Sequence, residues 1–259
     1  MTSTDHPFGR TTTTLDELHG CVDVTDAKRV LNSIGVAKPD KAVEGFLDQM
    51  PTLLAWLDEH GRDYPWRRAS DPWQIYASEI LLQRTRSDAV ADIYPEFFAQ
   101  FPSARCLLEA DEEDLRSIVH PLGFVNHRVR TLREAAELCA EVQDEVPADL
   151  EALQQPWRVG PYTARACLLF AFDQPMALVD TNTARIVGRV FDYPLPEQPH
   201  KSTRVQRLLD ALAPDNPALA RAFNLALLDL GALVCTSENP NCPACPLAEG
   251  CEYAQTGDV

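Results

Sequence analysis

An all-α fold is predicted by three features of the 259-residue sequence. Apolar residues recur at helical spacing over nearly all of the chain from Phe46 onward. Asp, Asn and Pro stand where helices would begin, and no stretch alternates apolar with polar residues as a half-buried strand would. A chain of this length holds one to two domains at ~150 residues each. Its 45% hydrophobic content supplies a packed core, which excludes a disordered chain.

The elements follow in order. Residues 1–40 are polar, with Thr11 to Thr14 in a row and no sustained periodicity before Val30 and Leu31. They are expected to form a loosely ordered acidic extension carrying one short helix. The first long helix is set by Phe46, Leu47, Met50, Leu53, Leu54 and Leu57. Asp71-Pro72 opens the next, which carries Ile75, Ile80, Leu81 and Leu82, and Ile93, Phe97 and Phe98 mark another. Asp111 with Asp114 opens one helix and Asn216-Pro217 another, while Pro102, Pro121, Pro147 and Pro156 fall between apolar runs. Roughly ten helices with short connections result.

The charge is −16, and the basic residues are 19 Arg against only four Lys: Lys28, Lys38, Lys41 and Lys201. Net charge of that sign argues against nonspecific binding to nucleic acid, which depends on clustered cations releasing counterions. The arginines are nevertheless clustered, with Arg62, Arg67, Arg68, Arg84 and Arg86 in one stretch and Arg128, Arg130 and Arg133 in another. No apolar run approaches the ~18 residues of a membrane span, and the first thirty residues lack a signal-peptide core. The expectation is a soluble, cytoplasmic protein with no membrane partner.

Four of the eight cysteines, Cys21, Cys106, Cys139 and Cys167, are scattered and read as small core residues. The others crowd into Cys235-Thr-Ser-Glu-Asn-Pro-Asn-Cys242-Pro-Ala-Cys245-Pro-Leu-Ala-Glu-Gly-Cys251. Four thiols at C-x6-C-x2-C-x5-C are a metal site or a reactive hazard. Structural zinc gathers sulfurs as two close pairs and only one is present here, whereas an iron-sulfur cluster takes one Cys per corner from a wrapping loop. Spacing favours the cluster and leaves zinc open.

Three other segments carry candidate chemistry. In Pro156-Trp-Arg-Val-Gly-Pro-Tyr-Thr-Ala, Gly160 precedes an apolar helix with Pro161 in its first turn, where backbone N–H groups can approach a phosphate, although any helix start looks similar. In Leu178-Val-Asp-Thr-Asn-Thr, Asp180 stands at the mouth of a helix and can act as an N-cap with Thr183 completing a polar first turn. In Ser78-Glu-Ile-Leu-Leu-Gln-Arg-Thr-Arg86, Glu79, Gln83 and Arg86 fall at i, i+4 and i+7. They are expected to form one stripe along a helix, either solvated with an ion pair or functional.

From Tyr64 to Cys251 the sequence resembles the endonuclease III superfamily of helix-hairpin-helix DNA glycosylases. The resemblance rests on the cysteine loop after Phe223-Asn-Leu-Ala-Leu-Leu-Asp-Leu-Gly, on Val159-Gly160, on Val179-Asp-Thr-Asn182, on Tyr64-Pro-Trp-Arg67 and on Ser78-Glu79. It implies a two-domain fold with the active site in the cleft between the domains. A six-helix domain with the hairpin would span 70–175, and an iron-sulfur helical domain would span 41–69 with 176–259. It implies a structural 4Fe-4S cluster on Cys235, Cys242, Cys245 and Cys251. It makes Asp180 the carboxylate that stabilises the oxocarbenium-like sugar as the base leaves, Glu79 the group that hydrogen-bonds or protonates that base, and Gln83 the wedge entering the stack. Arg84 and Arg86 would hold phosphates, and Arg158, Val159, Gly160, Thr163, Asn126 and Arg128 would also face DNA.

Two departures matter. The family hairpin reads Leu-Pro-Gly-Val-Gly, and Arg158 replaces its first Gly. A Cβ resists positive φ, so a reshaped turn is expected, or a phosphate contact through the arginine side chain instead. Tyr162 occupies the position where strand-cutting members carry the Schiff-base lysine, and Lys201, the only lysine after residue 41, sits in no motif. The expected enzyme is therefore a monofunctional glycosylase of base excision repair without lyase activity.

Two subfamilies share these motifs. Adenine-mismatch glycosylases favour Leu-Gln-Gln-Thr and Gly-Tyr-Tyr, and usually continue into a domain that reads the oxidised guanine. Here the sequence has Leu82-Gln-Arg-Thr85 and Leu122-Gly-Phe-Val-Asn-His-Arg128, and eight residues follow Cys251. The pattern Leu-Gly-x-x-Asn-x-Arg is similar to archaeal thymine/uracil mismatch glycosylases, so thymine or uracil opposite guanine is the expected target. Adenine and a non-catalytic iron-sulfur DNA-binding protein are the alternatives. The expected partner is mismatched or damaged double-stranded DNA, bound by a monomer associated with the nucleoid, and the acidic, lysine-poor background suits a salt-rich cytoplasm.

Overall fold

The computed structural model describes residues 7–256. Among them the chain forms fourteen α-helices and no strand, more helices than the apolar runs suggest because several runs are broken by caps. None of these helices is long and apolar enough to cross a membrane.

The helices are α1 (Leu15–Cys21), α2 (Val24–Ser33), α3 (Pro39–His60), α4 (Pro72–Leu81), α5 (Ser87–Gln100), α6 (Ala104–Glu109) and α7 (Glu112–Val119). There follow α8 (Val125–Glu141), α9 (Leu150–Leu153), α10 (Pro161–Ala171), α11 (Thr181–Val190), α12 (Thr203–Leu212), α13 (Pro217–Leu233) and α14 (Glu252–Gln255). The predicted starts hold: Asp71, Asp111 and Asn216 each cap a helix by accepting a backbone N–H in its first turn. Proline is a weaker signal, since Pro51 and Pro95 lie inside α3 and α5.

The chain divides into two compact units, one running to Arg62 and resuming at Pro175, the other spanning Asp63–Gln174. The first holds α1–α3 and α11–α14. Its core is built on α3 with Phe46 wedged between Phe191 and Phe223, at ring-centroid separations of 5.7 and 6.4 Å. Residues 7–40 differ from the loose extension predicted for 1–40, of which residues 1–6 lie outside the described residues. Two helices form there. Leu18, Val22, Ala27, Val30 and Leu31 are buried as α2 packs on α3 and α12 and α1 packs on α3. A fully buried aliphatic side chain contributes roughly 1.5–3 kcal/mol, enough to dock short polar helices that would not persist alone.

The second unit holds α4–α10. Helix α4 is its centre, packed against α5, α8 and α10 and buried on every side. Trp73 Nε1 donates to the Phe101 carbonyl at 3.1 Å, and the Tyr76 hydroxyl donates to that of Leu153 at 2.9 Å. An all-round buried helix has no solvated face, so a polar residue on it is enclosed. Ser78 and the ionisable Glu79 are such residues.

Candidate functional site

In the Asp63–Gln174 unit, Glu79 is 7% exposed on α4. Burial pushes its carboxyl from the usual 4.5 up to about 7, against the opposing pull of the Arg67 guanidinium. Arg67 is itself buried, in the 3-10 turn Pro65–Arg67, where Tyr64 and Trp66 stack at 4.7 Å. Arg67 stands in the sequence both in a basic stretch and in Tyr64-Pro-Trp-Arg67, and its place one residue after Trp66 in an aromatic turn was the signal that it points inward. Cys167 on α10 feels the Glu79 charge, which adds to burial in raising its own thiol.

The predicted helical stripe is corrected here. Helix α4 ends at Leu81, so Gln83 and Arg86 do not continue a face with Glu79. Residues 82–85 form a turn in which Arg84 adopts φ 55°, and Arg86 precedes α5. The turn is held by Arg128, which the sequence analysis placed on DNA. Arg128 is 4% exposed, and its guanidinium donates to the carbonyls of Leu81 (2.6 Å), Gln83 (2.9 Å), Gly123 (2.9 Å) and Ile80 (3.3 Å), and to Thr85 Oγ1. It caps the orphan carbonyls at the end of α4, and burial pulls its own proton affinity down to about 10. Asn126 stays at the surface, where its Oδ1 accepts from Arg116 at 2.7 Å.

Gln83 reaches the hairpin: its Nε2 donates to the Arg158 carbonyl at 3.4 Å and to Thr163 Oγ1 at 3.3 Å. The turn before α10 is not reshaped by its arginine. Arg158 takes φ 61°, the left-handed conformation that a glycine would adopt. Gly160 has an extended φ of −98°, and a Cβ there would meet nothing within 4 Å, so the fold itself does not require glycine at that position. Its absent side chain leaves the N-terminus of α10, which has no side-chain cap, open to close approach. Val159 and Thr163 are buried, and the half-buried Tyr162 lies in the first turn of α10.

In the other unit, Asp180 caps α11. Its Oδ1 accepts the N–H groups of Asn182 (2.8 Å) and Thr183 (2.7 Å), while Thr183 Oγ1 accepts from the Asp180 N–H at 3.0 Å, a reciprocal capping box. The capping reading therefore holds and does not exhaust the residue. Oδ2 takes the Asn182 side-chain amide at 2.9 Å, Asn182 Oδ1 accepts from Arg185 at 2.8 Å, and Arg185 Nε donates to the Cys235 carbonyl at 2.8 Å. One more helical turn along, Arg189 places a guanidinium N–H 3.3 Å from Cys235 Sγ. Helix α11 thus joins the carboxylate to the cysteine loop through Asn182, Arg185 and Arg189, at one-turn spacings that the sequence analysis passed over. Gly231 of α13 is what lets α11 come so close, since a Cβ there would lie 2.6 Å from that of Asn182.

Cys235, Cys242, Cys245 and Cys251 are all free thiols. Burial pushes Cys245 up to about 12, and the charges of Cys235, Cys251 and Cys242 push it the same way. Among the described residues no three His, Cys, Asp or Glu side chains are arranged to hold a single metal ion. Four unpaired sulfurs around one loop, with a guanidinium aimed at one of them, fit a larger anionic group whose corners each take one thiolate.

The family model of the HhH-GPD superfamily base excision DNA repair protein matches residues 77–213, which hold Glu79, the hairpin and Asp180. A thymine/uracil-DNA glycosylase from Pyrobaculum aerophilum is 36% identical over 207 residues, covering 78% of this chain and 90% of the relative. An adenine DNA glycosylase from Mycobacterium tuberculosis is also 36% identical, over 211 residues, covering 79% of this chain and 67% of the relative. The solved structure of a thermostable thymine-DNA glycosylase matches with a TM-score of 0.76 at 27% identity, over 85% of this chain and 100% of that one. On the family match and these identities, the chain belongs to the HhH-GPD superfamily of base excision DNA repair proteins.

Proposed function

We propose that this protein is a monofunctional DNA glycosylase that removes thymine or uracil mispaired with guanine, acts as a monomer and leaves an abasic site. The observation that carries this reading is a pair of carboxyl groups in opposite surroundings. Glu79 is enclosed and holds its proton up to about pH 7, whereas Asp180 receives N–H donors on both oxygens.

Glu79 donates its proton to the departing base as the N-glycosidic bond breaks. The Asp180 charge stabilises the cationic sugar and orients the water whose oxygen bonds to the sugar carbon. Tyr162 has no amine with which to form a Schiff base, so the strand stays intact. Gln83 enters the space the flipped nucleotide leaves, while Arg84 and Arg86 hold flanking phosphates. The open start of α10 at Val159, Gly160 and Thr163 receives another phosphate, and the exposed Asn126 also meets the DNA. Cys235, Cys242, Cys245 and Cys251 would hold a 4Fe-4S cluster, which supplies a structural clamp on the loop rather than chemistry.

Thymine and uracil are favoured by the Leu122-Gly-x-x-Asn126-x-Arg128 pattern and by relatives whose length this chain covers to 90% and 92%, named thymine/uracil-DNA and thymine-DNA glycosylase. The mycobacterial relative makes adenine the second reading. The test is a set of end-labelled duplexes carrying T·G, U·G, A·G or A·8-oxoguanine, incubated with protein and then treated with alkali. Cleavage at T or U is expected, with no borohydride-trapped adduct. Cleavage at A would replace the substrate assignment, and survival of all four would end the enzyme reading. Purified protein should be brown and contain iron and sulfide, so a colourless zinc protein would overturn the cluster.

A further inference from the structure

A chain at −16 must still present cations to a phosphate backbone, and the structure shows which ones are available. In the Asp63–Gln174 unit, Arg68 pairs with Asp63, Arg105 with Asp144, Arg116 and Arg133 with Glu112, and Arg130 with Glu134. Among the described residues no carboxylate pairs with Arg84, Arg86 or Arg158, and all three are exposed. Gln83 ties the turn carrying Arg84 to the carbonyl of Arg158.

Arg158 is the least expected of the three, because it holds a left-handed backbone that disfavours any residue with a Cβ. Its surroundings are built around it. The Arg158 guanidinium lies over the Trp157 ring, 4.6 Å from the centroid, Arg130 lies over the same ring at 4.7 Å, and His127 packs on it at 4.9 Å. The tryptophan is fixed from α8 at both backbone groups: its N–H donates to Glu134 Oε2 at 2.6 Å, and its carbonyl accepts from Thr131 Oγ1 at 2.9 Å. The same Glu134 neutralises Arg130 and leaves Arg158 as the uncompensated charge on this ring.

Resting on the glycosylase reading, we propose that Arg158 binds a DNA phosphate through its side chain beside the backbone N–H groups of α10, and that Trp157 is its positioning residue. The hairpin keeps the turn that a glycine would give and adds a cation, held by stacking in a fixed direction rather than sampling many rotamers. On an acidic protein this puts a positive charge where it is needed without raising the charge elsewhere.

Glycine is the informative substitution, because φ 61° suits it and the turn survives while the cation is lost. Binding of a fluorescein-labelled, fully paired duplex is measured by anisotropy across 0.05 to 0.5 M KCl as a set of chosen conditions, roughly a ten-fold span. For R158G the slope of log affinity against log salt should fall by about one, with affinity near physiological salt down about five-fold. W157L should weaken binding by the arginine protein and have no further effect in the R158G background. A slope and affinity for R158G equal to those of the unmodified protein would overturn the proposal, and so would additive effects of the two substitutions. Failure of the unmodified protein to bind duplex at all would instead overturn the glycosylase reading on which the proposal rests.

Discussion

Replacing Glu79 with Gln removes one buried titration and leaves the shape of the side chain nearly unchanged. The carboxyl of Glu79 is raised by burial from the usual 4.5 to about 7, a value that already includes the lowering effect of Arg67. The folded protein therefore binds this proton more tightly than the unfolded chain does. Stability from this group is fully present below about pH 4.5 and is lost as the pH rises through about 7. At about 1.4 kcal/mol per ten-fold change in proton affinity, the loss amounts to roughly 3 kcal/mol. Urea unfolding of the wild type and E79Q at a series of pH values isolates this term, because the other carboxylates cancel in the difference. E79Q should gain roughly 3 kcal/mol on the wild type between about pH 4.5 and 8, on top of any constant offset from the amide. A difference that stays flat across that range would refute the burial argument. The kinetic counterpart is a single-turnover excision rate that falls in the wild type as the pH rises through about 7, and a pH-independent, much slower rate in E79Q.

Other expectations follow from the same geometry. D180N keeps an oxygen for the Asn182 and Thr183 N–H groups but loses the acceptor of the Asn182 side-chain amide, so stability in thermal unfolding should fall by about 1 kcal/mol while single-turnover excision drops by about 10²-fold or more. D180A should also lose the cap, at about 1 kcal/mol, and a D180N enzyme with full activity would leave Asp180 as a cap alone. R128M strips the donor from the carbonyls of Ile80, Leu81, Gln83 and Gly123 and should cost about 3 kcal/mol or more in urea unfolding without altering the salt dependence of duplex binding. A reduced salt slope with unchanged stability would return Arg128 to the DNA surface. C245S should lower the iron and sulfide content and the visible absorbance, and should expose the loop from Cys235 to Cys251 to limited proteolysis. Undiminished iron would exclude Cys245 as a ligand.

Much of this was legible in the sequence because it depends on local chemistry. Caps are short-range, so Asp71, Asp111, Asp180 and Asn216 announced their helices, and the polar first turn at Asp180 and Thr183 proved to be a capping box. The cysteine spacing and the near-absence of lysine are countable. What failed had long-range causes. The helical stripe through Glu79, Gln83 and Arg86 assumed that α4 continues, but Arg128, 47 positions from Leu81, draws in the carbonyls at its end. Residues 7–40 looked too polar to fold, and only the surfaces of α3 and α12 make their few apolar side chains sufficient. The Cβ of the hairpin arginine pointed to a reshaped turn, yet Trp157, Glu134 and Thr131 hold the left-handed one around it.

The sequence by itself determined the helical class, the family and the residue types that do the chemistry, since periodicity, caps and motif spacing are written along the chain. Only the tertiary structure decided which charges are usable. Arg128, one of the clustered arginines, is consumed by carbonyls, Arg158 is left uncompensated at the surface, and Glu79 retains its proton near neutrality. Each outcome depends on what surrounds the group in space, because burial and partner atoms set the free energy of a charge, and neither is a property of sequence position.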